Sequence, residues 1–239
     1  MARMPIATRK QRRGILGIES AIVMIAFVVV AAALAFVVLN AGFGTTQKSK
    51  TTISEGLQAA TGAVEVAGLV TGYNGTGALN DNKLEFYSIP IKLASGANAV
   101  NLQKELTAVR YFSNSIKYDN IYMGPVRTAA TYSSDLEMLS NVNTNCTLGA
   151  GPKIYAAGTY TVPTKTCAFI WWSSSVEDDD ILDGGEVAVL TIVFKKNAEN
   201  DERPAELDKI VAELVPAGAS ILTVERVVPT ITTTIVNMN

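Results

Sequence analysis

The chain contains no histidine. That removes the commonest general base, a frequent metal ligand and every nucleophile that works through an imidazole. Cysteine is almost as scarce, since Cys146 and Cys167 are the only two and no CxxC pair exists. Between Pro5 and Pro90 there is no proline, so nothing of that kind interrupts a helix over the interval. No phosphate-binding P-loop, no GxGxxG after a strand, no internal repeat and no long low-complexity run is present. No catalytic residue, cofactor site or metal ligand set is therefore expected. Charge excludes more. Residues 1–14 hold Arg3, Arg9, Lys10, Arg12 and Arg13 and no acid, so the rest of the chain has 20 − 5 = 15 basic residues against 22 acidic ones, a balance of −7. Nucleic acid is an improbable partner for such a surface.

What the chain has instead is an uninterrupted apolar run from Ala21 to Leu39, preceded by Arg12-Arg13-Gly14 and Ile15-Leu16-Gly17-Ile18-Glu19-Ser20. About 20 apolar residues suffice to cross a bilayer as a helix. The basic flank keeps the N terminus in the cytoplasm and sends residues beyond Leu39 outside. A secretory signal is cut after its apolar region, at small residues. Here the small residue, Gly14, lies before it, which points to cutting between Gly14 and Ile15 with the apolar helix retained. Glu19 is then an ionised group in apolar surroundings, at a cost of roughly 2.5–3.5 kcal/mol or more, and the new α-amino group at Ile15, its own or a neighbour's, is the available cation. The bland alternative places Glu19 at the membrane interface, where the helix dipole alone favours an acid.

Beyond Leu39 the pattern remains helical. Ala21, Ala26, Ala31, Ala32, Ala33, Ala35 and Ala41 are small enough to let helices approach closely. Gly42-Phe43-Gly44 should weaken or bend the helix, and Ile53, Leu57, Ala60 and Val64 then form an apolar stripe. The breaker cluster Gly72-Tyr73-Asn74-Gly75-Thr76-Gly77 is expected to end it. A helix from residue 17 to about 71 would be roughly 80 Å long, far more than a membrane anchor needs.

From residue 80 onward the period changes from helical to two. Candidate strands are 86–93, 105–112, 154–162, 167–172, 186–195, 209–215, 220–228 and 230–236, separated by turn signals such as Gly149-Ala150-Gly151-Pro152 and Asp183-Gly184-Gly185. Val187 to Phe194 is apolar on both faces and belongs in the middle of a sheet. Trp171 and Trp172 should point to opposite faces, one into the core and one outward. The fold class expected is α+β: a long N-terminal hydrophobic helix followed by an all-β immunoglobulin-like sandwich head, with leader 1–14, helix 15–72 and head 73–239.

Three features of the head bear on modification and binding. Asn74-Gly75-Thr76 and Asn145-Cys146-Thr147 are N-glycosylation sequons in expected loops, and Cys146 sits inside the second. In an oxidising compartment Cys146 and Cys167 pair, closing a loop for about 3 kcal/mol, the alternative being two buried thiols. The acidic run Glu177-Asp178-Asp179-Asp180, with Asp183 and Glu186, has the composition of a Ca²⁺ loop without the EF-hand spacing and reads as a solvated acidic turn.

Arg12-Arg13-Gly14 with Glu19 fifth after the junction resembles the class III signal of type IV pilin-like proteins. Phe27-Val28-Val29-Val30-Ala31, Val37 through Gly42 and Thr45-Thr46-Gln47-Lys48-Ser49-Lys50 narrow the resemblance to archaellin, the archaeal flagellar filament subunit, over residues 12 to about 72. The resemblance implies a membrane-inserted precursor, cutting by a prepilin peptidase-like enzyme, and polymerisation of identical subunits through the N-terminal helix into an extracellular filament, rotated by a motor made of other proteins. An archaeal type IV adhesion pilin shares leader, Glu19 and helix. A monomeric membrane-anchored surface glycoprotein would explain the apolar run and the head, but not the glycine junction or Glu19.

Overall fold

The computed structural model describes residues 13–75, 82–127, 131–196 and 201–238; within the long helix, residues 13–16 and 58–60 are described by backbone alone. The leader up to Arg12, Thr76 and Gly77 of the breaker cluster, and the side chain of Ala60 fall outside the described residues. The chain divides into two compact units, residues 1–54 and 55–239.

The first unit is helix. Helix α1 spans Arg13–Thr61. It runs unbroken through Gly42 and Gly44, where a bend was expected, and Thr45 and Thr46 donate their hydroxyls to the carbonyls of Ala41 and Gly42 at 2.8 Å. Such back-bonding satisfies a threonine within its own helix and needs no neighbour.

The helix ends about ten residues earlier than expected. After Thr61 the chain alternates as Val64-Glu65-Val66, and β-branched residues at period two favour a pleated, half-buried surface over a further helical turn. These residues form β1 (Val64–Val66), paired antiparallel with β3 (Phe86–Leu93), and Glu65 meets Lys92 across the ladder at 3.1 Å. Val64, the fourth member of the expected stripe, is thus in the head's core. Gly72 is likewise inside a strand, β2 (Thr71–Tyr73), and is there for packing: a Cβ on it would lie 2.8 Å from Leu84 Cδ2 and 2.9 Å from Met238 Sδ. Gly62 has a similar reason, since a Cβ there would meet that of Ala219 at 2.8 Å.

The remaining elements, in order, are β3 (Phe86–Leu93), β4 (Val100–Asn101), β5 (Thr107–Ser113), β6 (Lys117–Tyr118), β7 (Tyr122–Pro125), α2 (Asp135–Leu139), β8 (Tyr155–Ala156), β9 (Thr159–Tyr160), β10 (Cys167–Ser174), β11 (Ile181–Leu182), β12 (Val187–Val193), β13 (Lys209–Pro216), β14 (Leu222–Val227) and β15 (Ile235–Asn237). A seven-stranded sheet has the order β15-β2-β3-β12-β10-β7, with β1 also on β3, and only β10–β7 is parallel. A four-stranded sheet has the order β14-β13-β5-β6. The stretch 154–162 is a hairpin of β8 and β9 rather than one strand, turned by Ala157 and Gly158, both at positive φ.

The two sheets form the expected sandwich. Tyr87, Ile89 and Ile91 of β3, Ala168, Ile170 and Trp172 of β10, and Ala188, Leu190 and Ile192 of β12 meet Val109 and Tyr111 of β5 and Ile210, Ala212 and Leu214 of β13. The opposite face of the seven-stranded sheet is also covered. Phe169, Trp171, Val189 and Val193 pack against Met138 and Leu139 of α2, with Val142 and Ile154 nearby. Both tryptophans are therefore buried, at 3% and 1% exposure, and the expectation of an outward-facing one is corrected. The reason is this additional layer, which turns each alternate side chain of β10 toward one core or the other.

Candidate functional site

The largest uncovered apolar surface is on α1. Fifteen large apolar side chains from Ile18 to Phe43 are between 57% and 75% exposed, and the helix is long and apolar enough over Gly17–Leu57 to cross a membrane. Every side chain described on residues 17–57 is exposed. Glycines on it have no internal cause, because a Cβ added at Gly17, Gly42, Gly44 or Gly56 would meet nothing within 4 Å. Each costs roughly 1 kcal/mol relative to alanine in a helix. Glu19 is exposed on the first turns of this surface, and Ser20 beside it donates to Gly17 O at 3.1 Å. Gly14 and Ile15 lie within the helical backbone; the side chain of Ile15 is outside the described residues.

The head carries the modification and loop residues. Asn74 is half-buried, and its N–H donates to Thr234 O at 2.8 Å, while the next N–H, of Gly75, donates to the buried Glu85 carboxylate at 3.1 Å. Asn145 is exposed, on a turn between α2 and the β8–β9 hairpin. Cys146 and Cys167 form a disulfide, with Cα atoms 6.3 Å apart and both residues buried in the second core. It ties that turn to the first residue of β10, a central strand.

The acidic loop divides between solvent and core. Glu186 is 1% exposed and accepts from the N–H groups of Val176, Glu177 and Asp183, from Ser175 Oγ and from Trp172 Nε1. Burial pushes its pKa up, but these backbone and hydroxyl donors outweigh burial and leave it below the usual range. Its work is to hold the loop together. Arg127, stacked 3.7 Å over Trp172, pairs with Asp178 at 3.0 Å and faces Asp180 at 3.6 Å. The carboxylate oxygens of Glu177, Asp179 and Asp183 lie within 4.8 Å of one another.

Sequence reasoning missed several residues. Asp135 accepts from both Ser88 and Thr191 at 2.6 Å, and Thr191 in turn accepts from Trp171 Nε1 at 2.9 Å, which pins α2 to the central sheet. The signal was present: Ser134 caps α2 by accepting from Glu137 N, and Glu137 accepts from Ser133 N, close to a capping box. Asn143 had no such signal, and its role depends on the fold around the disulfide.

An exposed apolar helix continuous with a disulfide-tied β head defines a broad class of chains, those whose apolar helix needs cover from outside the molecule. The comparisons narrow it. The sequence profile of archaeal-type flagellin matches residues 14–220. "Probable flagellin 1" of Aeropyrum pernix is 35% identical over 223 residues, covering 92% of this chain and 94% of that one. The chain belongs to the archaeal-type flagellin family, a family of structural proteins. Its fold is similar to that of the archaeal flagellum of Methanospirillum hungatei strain JF1, with a TM-score of 0.56 at 20% identity over 93% of this chain and 98% of that one. It is also similar to flagellin FlaB1 from Methanocaldococcus jannaschii, with a TM-score of 0.50 at 13% identity over 73% of this chain and 95% of that one.

Proposed function

We propose that this chain is the structural subunit of an archaeal flagellar filament for swimming motility, a homopolymer held together by α1 packed against copies of itself. The observation that carries the reading is the uncovered apolar surface of α1. Its fifteen large side chains need cover, first from lipid in a membrane-inserted precursor and then from identical helices in the extracellular polymer. Transfer between these two apolar settings gains little from the hydrophobic effect, so close packing drives it. Gly42, Gly44, Gly56 and the alanines lower the steric barrier to that approach. Against water, fifteen side chains at about 1.5–3 kcal/mol each set an upper bound of tens of kcal/mol on the cost of losing a subunit.

A prepilin peptidase-like enzyme cuts between Gly14 and Ile15, because the five leader cations have no place in a packed helical core. The freed amine at Ile15 pairs with Glu19 of its own or a neighbouring helix. Asn74 and Asn145 carry glycans on the head surface, and the chain catalyses no reaction. The test is intact mass and N-terminal sequencing of material sheared from the cell surface. An N terminus at Ile15 in long polymers dominated by this chain is expected. An N terminus at Met1, or recovery only as a detergent-extracted monomer, contradicts the reading.

A further inference from the structure

We propose that Asn145 acquires its glycan only before the Cys146–Cys167 bridge closes, so that folding of this corner of the head ends the period in which it can be modified. The proposal rests on the reading of Asn145 as a glycan acceptor. An Asn-x-Thr acceptor is defined by two side chains, the carboxamide and the hydroxyl two residues on, so a transferase must hold both at once. The folded head engages both elsewhere. Thr147 Oγ1 accepts from Asn143 Nδ2 at 2.7 Å, and Asn145 Oδ1, at 3.2 Å, shares the Thr164 hydroxyl proton with Thr144 O at 3.1 Å. The backbone of the tripeptide is also clamped. Asn143, only 5% exposed, accepts on its Oδ1 from the N–H groups of Asn145 at 3.0 Å and Thr147 at 3.1 Å, and its carbonyl accepts from Cys146 N at 2.9 Å. Cys146 sits at φ 61°, which turns the chain sharply between acceptor and hydroxyl, and its sulfur is committed to Cys167 in the second core. Asn145 itself remains exposed, so a glycan already attached projects into water without disturbing these bonds. The folded turn is able to carry the glycan and unable to acquire it.

The two reactions compete for one tripeptide. In transfer, the Asn145 carboxamide nitrogen bonds to the anomeric carbon of a phosphate-linked glycan and loses a proton, while the anomeric C–O bond breaks and the phosphate carrier leaves with its electron pair. In closure, the thiols of Cys146 and Cys167 give two protons and two electrons to an external disulfide, which is reduced to two thiols. Whichever runs first on a given chain decides whether Asn145 is modified, and incomplete occupancy follows wherever closure is fast.

The experiment uses full-length chain made in cells without the transferase, kept in detergent, and offered to host membranes that contain the transferase and its phosphate-linked glycan. Glycopeptide mass reads the product, and Asn145→Gln confirms its position. The reduced chain is expected to be modified at Asn145, and the oxidised chain to lose that modification to background. A Cys146→Ser/Cys167→Ser chain, which keeps an Asn-x-Thr sequence, is expected to remain an acceptor without reductant. Equal modification of oxidised and reduced chains, or refusal by the double variant, overturns the order while leaving Asn145 an acceptor. No modification of Asn145 in any chain overturns the acceptor reading itself, and the order with it.

Discussion

Phe36 of α1 and Phe169 of β10 are the same side chain in opposite circumstances: the first is 70% exposed, the second 2%. The head finds cover for its apolar residues within itself, on both faces of its central sheet. Every large apolar side chain described on α1 is exposed and waits for something outside the molecule. A head of this kind is specified by its own packing, whereas α1 is specified by a partner surface. The same methylene group is therefore worth stability in one region and assembly in the other.

Substitutions should separate the two. The largest effect is expected from Val30→Asp, which puts a carboxylate at the middle of the apolar run at a cost of about 3 kcal/mol in every subunit. Filaments should disappear from the cell surface by electron microscopy, while the melting temperature of the head stays unchanged. Trp172→Ala reverses the pattern. It should remove about 3–5 kcal/mol from the head in a urea titration, since it empties a fully buried site, without releasing the precursor from the membrane. Replacing both Cys146 and Cys167 by serine should cost the head about 3 kcal/mol and leave helix packing intact.

Acid should weaken the head. Burial pushes Asp201 up, but hydrogen bonds from Arg203 at 2.9 and 3.0 Å and from Lys83 at 3.0 Å prevail and hold it at about 2, against an ordinary 3.8. The folded pKa lies below the unfolded one, so this stabilisation is present above the unfolded value and is lost as pH falls through the folded one. It amounts to roughly 2 kcal/mol, and Glu186 adds in the same direction. Head melting followed from pH 5 to pH 2 should fall accordingly, and Asp201→Asn should flatten the lower part of the curve. The smallest effect is expected at Gly44→Ala. It should favour the isolated helix by about 1 kcal/mol in a micelle, read by circular dichroism, yet not strengthen the filament against heat if that glycine serves a close helix contact.

Much of this division could be read from the residues. The run Ala21 to Leu39 with its basic flank, the period-two alternation of 86–93, and the two-sided apolarity of 187–194 each have one physical solution. What the sequence concealed was decided at a distance. The end of α1 depends on β1 finding a ladder partner in Ile91, Lys92 and Leu93, and Gly72 depends on Leu84 and Met238 crowding its α-carbon. One of Trp171 and Trp172 was expected to face outward, because the layer that covers Trp171 comes from short, irregular segments around α2 with little periodic signal. Glu186 looked like one more acid in a solvated run, and only the folded loop turns it inward to accept five hydrogen bonds. For α1 every described side chain over residues 17–57 is exposed, and the cover proposed for it is another molecule.

The most direct test of that last statement is photo-crosslinking from Phe36, replaced by a photoreactive phenylalanine analogue, in intact surface polymers. The label is expected to attach to α1 of a second copy of this chain, giving covalent dimers whose linked peptides both come from residues 15–61. Attachment to lipid alone in the surface polymers would show that the helix is an anchor and would contradict the claim that identical helices cover it.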